Sequence, residues 1–500
     1  MSSRKAEVSA GTKTRKLNDL PDRSASELHT LIARRELSPV ELVEACLQRV
    51  EQVNGVLNAV VTLNESALDD ARALEREVAH GRIRPLCGLP VGIKDVTPVA
   101  GLRTTYGSRL YAAHVPRQDA LVVQRLREAG AVVLGKTNCP EFAAGGNTFN
   151  EVFGCTRNPW NPARSAGGST GGGAAALATG MIALAEGTDL GGSLRIPASF
   201  CGVVGLRPSA GLVPTWPSDW LWDTLQVTGP VARTAEDIGL MLDAVAGPSD
   251  LSPISLPTTG RQFAAAVAAG IRHGLRMAYC PDLIGIGVDA DVEQVCRAAA
   301  FGLRQLGITV EEVALDLSAG RDAFLALRGL WFVAQMHSRL EHLDEFGPNV
   351  AGNIRAGLKT TSAELGAAER VRARVRETVL ELLSRFDHLV TPAMAVPPFP
   401  VEQNYPETVA GRKMETYVDW IAPTFVLSLT GLPVGAVPCG LDSEGLPVGL
   451  QIVGRPLGEE AVLALAAKVQ EAFPIGLPLL GRVESWRRGS VRAERTVPER

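Results

Sequence analysis

Apolar positions follow two rhythms along this chain, and each change of rhythm marks an element. Near the start, Ser24-x-x-Glu27 and Ser38-Pro39-Val40-Glu41 carry capping-box spacing, the second with proline at the first helical position. Leu42, Val43, Cys46, Leu47 and Val50 then recur at helical period, predicting one buried face. Asn64 to Val78 predicts a third helix with a charged outer side. From there short apolar runs alternate with helices. Leu89 to Val96 predicts a strand holding one lysine, Asp119 to Ala129 a helix stopped by Gly130, and Ala131 to Leu134 a buried strand. The phrase returns as a helix over Asp289 to Leu306, a stop at Gly307, and a strand over Ile308 to Val313. Helix, glycine, then a β-branched run predicts an α/β protein whose sheet is covered by helices on its faces.

The span 256–386 is richer in helix and charge and is expected to form a helical lobe within one domain spanning 17–484. Residues 1–16 and 485–500 are expected to be flexible tails. Trp420 to Leu441 is charge-free and long enough to test as a membrane span, but Pro423, Pro433 and Pro438 would break such a helix.

Composition narrows the function. Lys plus Arg number 50 against 54 Asp plus Glu, so no global positive field favours nucleic acid or an anionic membrane. The eight cysteines include no Cys-x-x-Cys pair, which argues against a disulfide scaffold or a ribbon-type metal site. A soluble, cytoplasmic protein with free thiols is expected.

The most unusual stretch runs from Ser165 to Pro197. Two glycine-flanked serines, Ser169 and Ser193, bracket an Ala-rich run and lie 24 residues apart. Glycines beside a serine leave backbone N–H groups uncovered, and such groups can hold the oxyanion of a tetrahedral intermediate while the hydroxyl attacks. A serine needs a base. None of the seven histidines falls in or beside these loops, and Ser193 does not sit in a Gly-x-Ser-x-Gly elbow. Lys94, in Gly88-Leu-Pro-Val-Gly-Ile-Lys-Asp95, is the best candidate. Burial would disfavour its charged form; moving it from about 10.4 to near 7 takes roughly 4.6 kcal/mol. A surface lysine paired with Asp95 is the plainer alternative.

Two other motifs compete. Gly130-Ala-Val-Val-Leu-Gly-Lys-Thr137 matches the phosphate-loop pattern, but its middle residues are strand-like and Pro140 follows closely. Gly171-x-Gly173-x-x-Ala176 mimics a dinucleotide fingerprint without a preceding strand.

Lys94, the Gly-Gly-Ser-Thr-Gly-Gly segment around Ser169 and Thr188-Asp-Leu-Gly-Gly-Ser193-Leu-Arg-Ile-Pro197 together resemble the amidase signature family. The likeness runs from about Leu17 to Leu480, with later phrases such as Gly229-Pro-Val-Ala-Arg-Thr234 and Gly445-Leu-Pro-Val-Gly-Leu-Gln-Ile-Val-Gly454. It implies a mixed central sheet and a Ser–Ser–Lys triad: Ser193 as nucleophile, Ser169 after a cis peptide bond as proton relay, and Lys94 as base. Backbone N–H groups of Leu190, Gly191, Gly192 and Ser193 would form the oxyanion hole. Thr170 stands where the family usually has serine, and Leu190 where threonine or isoleucine is common. No metal or cofactor is implied.

The family's pocket position falls on Ala143, Ala144 and Gly145, and the cluster Trp216, Trp220 and Trp222 is a candidate apolar wall, with Trp216 and Trp222 named as substrate-binding. Trp331 with Phe332 is a second candidate. The expected activity is hydrolysis of a small, largely apolar carboxamide or aryl or alkyl amide. The expected partner is that amide, with neither nucleic acid nor membrane, and with a homodimer left open. The alternative is the amidase subunit of a tRNA-dependent amidotransferase. That branch typically has glutamine where Ile196 stands here, which favours a stand-alone enzyme.

Overall fold

Both capping boxes close. Ser24 Oγ accepts the Glu27 N–H at 3.2 Å and Ser38 Oγ accepts that of Glu41 at 3.1 Å, while each glutamate returns to the serine N–H at 3.0 Å. They start helices Ala25–Ala33 and Pro39–Leu57, and the latter buries Leu42, Val43, Cys46 and Val50. The structure, a computed structural model, describes residues 19–481 together with 483, 485 and 486. The predicted 1–16 tail lies outside the described residues. So does most of 485–500, but Trp486 is described; it packs on the core, with the Arg157 guanidinium 4.5 Å from its ring centre.

Eleven strands form one mixed sheet. In chain order they are β1 (Val60–Leu63), β2 (Pro90–Lys94), β3 (Val132–Thr137), β4 (Leu184–Asp189), β5 (Val204–Arg207), β6 (Val227–Ala232), β7 (Arg276–Tyr279), β8 (Thr309–Glu312), β9 (His388–Pro392), β10 (Val434–Leu441) and β11 (Pro447–Val453). Their order across the sheet is β1-β3-β2-β4-β6-β5-β10-β11-β9-β7-β8. Strands β3, β2 and β4 run parallel, as do β9, β7 and β8; the remaining pairings are antiparallel. Helices pack against this sheet in two hydrophobic clusters. The predicted α/β class, mixed sheet and helical covering are present.

The helix read over 64–78 runs Ala67–Ala79, and that over 289–306 runs Ala290–Gly302 before a tighter 3₁₀ turn to Leu306. Between 256 and 386 the chain is not helical throughout. Strands β7 and β8 lie inside that span and extend the sheet edge, so the purely helical part narrows to helices Gly320–Gln335, Pro348–Lys359 and Ser362–Arg385 with the 3₁₀ segment between the first two. The strand expected over 308–313 is present as β8, whereas β7, Arg-Met-Ala-Tyr, has no β-branched residue to mark it in the sequence. The charge-free run from Trp420 divides into helix Ala422–Ser428 and strand β10, and among the described residues no helix is long and apolar enough to cross a membrane.

Two motifs resolve as packing. Gly130 to Thr137 forms a turn and then β3, whose residues are all buried, so no open loop exists to cradle phosphate. Gly171 to Ala178 is a fully buried helix preceded by a bend rather than a strand.

Because β2 and β4 are parallel neighbours, their C-terminal ends emerge side by side. That end of the sheet holds the candidate site, as parallel α/β sheets commonly arrange.

Candidate active site

Lys94 is the last residue of β2 and has no solvent exposure. Its Nζ donates to Ser169 Oγ at 2.7 Å and to Thr188 Oγ1 at 3.0 Å. Burial lowers its pKa from the ordinary lysine value to about 8. A second buried lysine, Lys136 on β3, is depressed to about 8 by the same cause, yet it donates to the Thr97 carbonyl and Thr104 Oγ1 and touches neither serine. Position, not acidity alone, therefore distinguishes Lys94.

Ser169 is fully buried and follows a cis peptide bond after Gly168. A side chain on Gly168 would meet the Gly145 carbonyl oxygen at 2.9 Å, so the serine loop packs directly on the backbone of the 143–145 segment. Ser193 is partly exposed and follows β4 by four residues. Its carbonyl accepts the Thr170 N–H at 3.2 Å, which joins the two serine loops, and its hydroxyl is bonded to no described residue. Thr170 keeps its hydroxyl, but Oγ1 is buried without a partner, so the threonine adds no hydrogen bond there.

The Ser193 loop is held by charge. Asp189 Oδ1 accepts the Gly192 N–H at 2.9 Å, and Oδ2 accepts the Leu194 N–H at 3.1 Å. Arg195 and Arg207 pair with the same carboxylate at 3.0 and 3.2 Å, and all three side chains are fully buried. The two guanidiniums and the loop N–H groups outweigh burial and hold the Asp189 carboxyl well below the usual carboxylate range. Arg195 is fixed in turn by Gln451 Oε1 at 2.7 Å and Ser428 Oγ at 2.8 Å. At Gly192 the backbone adopts φ +127°, and the Thr424 side chain occupies the space a Cβ would need.

One expected donor needs correction. The Gly192 N–H is committed to Asp189 and is not free for an oxyanion. The N–H groups of Leu190, Gly191 and Ser193 are bonded to no described residue and can take that role. The Asp189 contact was invisible in sequence because an aspartate three residues before a glycine reads equally as a turn.

Beside this centre lies a cavity of about 270 Å³. Thr188, which bonds Lys94, forms part of its wall; Lys94, Ser169 and Ser193 do not. Ala143 lines it at φ +60°, whereas Ala144 is buried behind it and Gly145 does not reach it. Trp216 lines it too, while Trp222 is 66% exposed and takes no part. The tryptophan cluster is thus split, because Trp222 lies on the outer side of its loop. Trp331 is a wall residue and Phe332 is buried beside it. Tyr106, Phe142 and Met336 are among the other apolar wall residues; Gln226, Thr228 and Gln335 add polar atoms. At the rim Arg339 pairs with Asp219 at 3.2 Å and donates to the Tyr111 hydroxyl at 2.6 Å.

The family model described as Amidase matches residues 41–463. The chain belongs to the amidase signature family. An acylamidase of Rhodococcus erythropolis is 36% identical over 461 residues, covering 90% of this chain and 95% of that one. A glutamyl-tRNA(Gln) amidotransferase subunit of Chloroflexus aggregans is 35% identical over 475 residues, covering 89% and 96%. The crystal structure of a bacterial aryl acylamidase of the amidase signature family superposes with a TM-score of 0.85 at 28% identity, covering 93% of this chain and 98% of the other. Amide hydrolysis is accordingly the activity of this amidase fold.

Proposed function

We propose that this amidase cleaves a small, largely apolar carboxamide or aryl or alkyl amide through an acyl-enzyme on Ser193. The observation that carries the reading is the buried 2.7 Å contact between Lys94 Nζ and Ser169 Oγ. Neutral Lys94 accepts the Ser169 proton while Ser169 accepts that of Ser193, and the Ser193 oxygen attacks the amide carbon. The N–H groups of Leu190, Gly191 and Ser193 receive the developing oxyanion. Collapse of the tetrahedral intermediate breaks the C–N bond, and the lysine proton returns through Ser169 to the leaving amine. Water then takes the same path against the ester and releases the acid.

The cavity supports the substrate class. Its volume, about 270 Å³, lies just below the usual range of ligand sites, and the aromatic side chains of Tyr106, Phe142, Trp216 and Trp331 line it together with Met336. The acylamidase relative and the aryl acylamidase structure point the same way.

A second reading, the amidase subunit of a tRNA-dependent amidotransferase, is supported by the 35% identity to the Chloroflexus aggregans protein. Ile196 behind Arg195, in place of that branch's usual glutamine, favours the free hydrolase. Incubating the purified chain with aryl and aliphatic amides, and separately with glutamine, separates them. Turnover of anilides or small carboxamides without other proteins supports the hydrolase; release of ammonia from glutamine only when amidotransferase partners are added supports the subunit.

A further inference from the structure

Strand β4 carries a second buried acid that the scheme above leaves idle. Glu186 has no solvent exposure and sits opposite Ile93 in the β2–β4 ladder. The ladder ends there, and the next N–H along β2, that of Lys94 itself, goes to the Glu186 side chain instead: Oε2 accepts it at 3.1 Å. The other oxygen, Oε1, accepts the Thr97 hydroxyl at 2.9 Å. Both carboxylate oxygens therefore accept, as an ionised group does. They grip the chain on both sides of the turn that follows the catalytic lysine, and Thr97 also lines the substrate cavity.

We infer that Glu186 is a positioning residue for Lys94, whose carboxylate both anchors the end of β2 and provides the standing counter-charge for the ammonium formed when Lys94 takes the serine proton. This rests on Lys94 being the base.

The other groups around Lys94 are already engaged. From β4, Asp189 is shared by Arg195 and Arg207. Beyond β3, burial holds the Cys139 thiol neutral, well above its ordinary range. Asp95, next to Lys94 in the chain, accepts the Thr105 hydroxyl at 2.5 Å and faces Lys136. Lys136 on β3 faces Glu186 as well, and Thr97 joins them, its hydroxyl on Glu186 and its carbonyl on Lys136. Burial pushes the Glu186 carboxyl up, which the Thr97 bond and the Lys136 and Lys94 charges oppose. An acid in the centre of an apolar strand is the same signal that singled out Lys94 in the sequence.

The two roles separate by substitution. Glu186→Gln keeps the reach and removes the charge; Glu186→Asp keeps the charge and shortens the reach. Both are compared with the unmodified enzyme by the pH profile of kcat/KM on an anilide and by the rate of fluorophosphonate labelling. Without the anion Lys94 loses its proton more readily, so in Glu186→Gln the acid limb moves down by about one pH unit or more. In Glu186→Asp the limb stays within a few tenths of a unit while kcat falls about tenfold or more and KM changes little. An unmoved limb in folded Glu186→Gln overturns the counter-charge. Should that variant not fold, Glu186→Asp decides: undiminished kcat, or a displaced limb, overturns the inference. Lys94→Ala is the control for the underlying reading; full activity there defeats the triad itself, whereas its loss with an unmoved Glu186→Gln limb defeats only the role of Glu186.

Discussion

Lys94 Nζ and Ser169 Oγ face each other across 2.7 Å with neither residue open to solvent. A lysine in that setting is disfavoured when charged, and burial, partly offset by nearby acids, lowers its pKa to about 8, a net shift worth roughly 3 kcal/mol against the ammonium. The fold carries that penalty beside the Ser193 loop, where the proposed scheme needs a neutral amine.

Lys94→Met therefore separates stability from activity. It removes the desolvation penalty and leaves the Ser169 and Thr188 hydroxyls short of one partner, a loss of about 1–3 kcal/mol that largely cancels the gain. The expected outcome is a thermal midpoint no lower than that of the parent and turnover reduced by about a thousandfold or more. A melting curve and an anilide assay check both halves.

The pH profile follows from the same group. Its folded pKa lies below the ordinary lysine value, and the proposed scheme requires the neutral form. Activity should rise about tenfold per pH unit below pH 8 and level off above it. Measuring kcat/KM from pH 6 to pH 10 tests this; a profile falling through pH 8 contradicts it.

Much of this centre is legible in the chain alone. Lys94, Ser169 and Ser193 stand out because a lysine in an apolar strand and serines behind glycines are costly unless chemistry needs them. Periodicity placed the capped helices and the strand holding Lys94. Tertiary partnerships were out of reach: nothing local says that Gly192 N–H is taken by Asp189, that Thr188 and Glu186 flank the lysine, or that Arg207 on β5 crosses to the nucleophile loop. Trp216 and Trp222 show the limit most clearly, since of two residues six apart on one loop the first lines the cavity and the second is largely exposed.

Asp189→Asn tests the loop's framework. Two fully buried guanidiniums would lose their counter-charge, a change expected to destabilise by about 3–5 kcal/mol. Denaturant unfolding should show a lower midpoint, with activity falling because the Gly192 and Leu194 N–H groups lose their common anchor.

The cavity predicts a contrast between two tryptophans. Trp331, whose indole N–H donates to Asp223 Oδ2 at 2.6 Å, forms part of the wall; Trp222 stands in solvent. Trp331→Ala should raise KM for an anilide about tenfold, and Trp222→Ala should leave it within about twofold. Steady-state kinetics on both variants checks the pair.

The identity of the nucleophile bears most directly on the whole scheme. Treating the protein with a fluorophosphonate and mapping the adduct by peptide mass spectrometry should find one label per chain, on Ser193, with Ser193→Ala unlabelled and folded. A label on another residue, or undiminished labelling of Ser193→Ala, would contradict it.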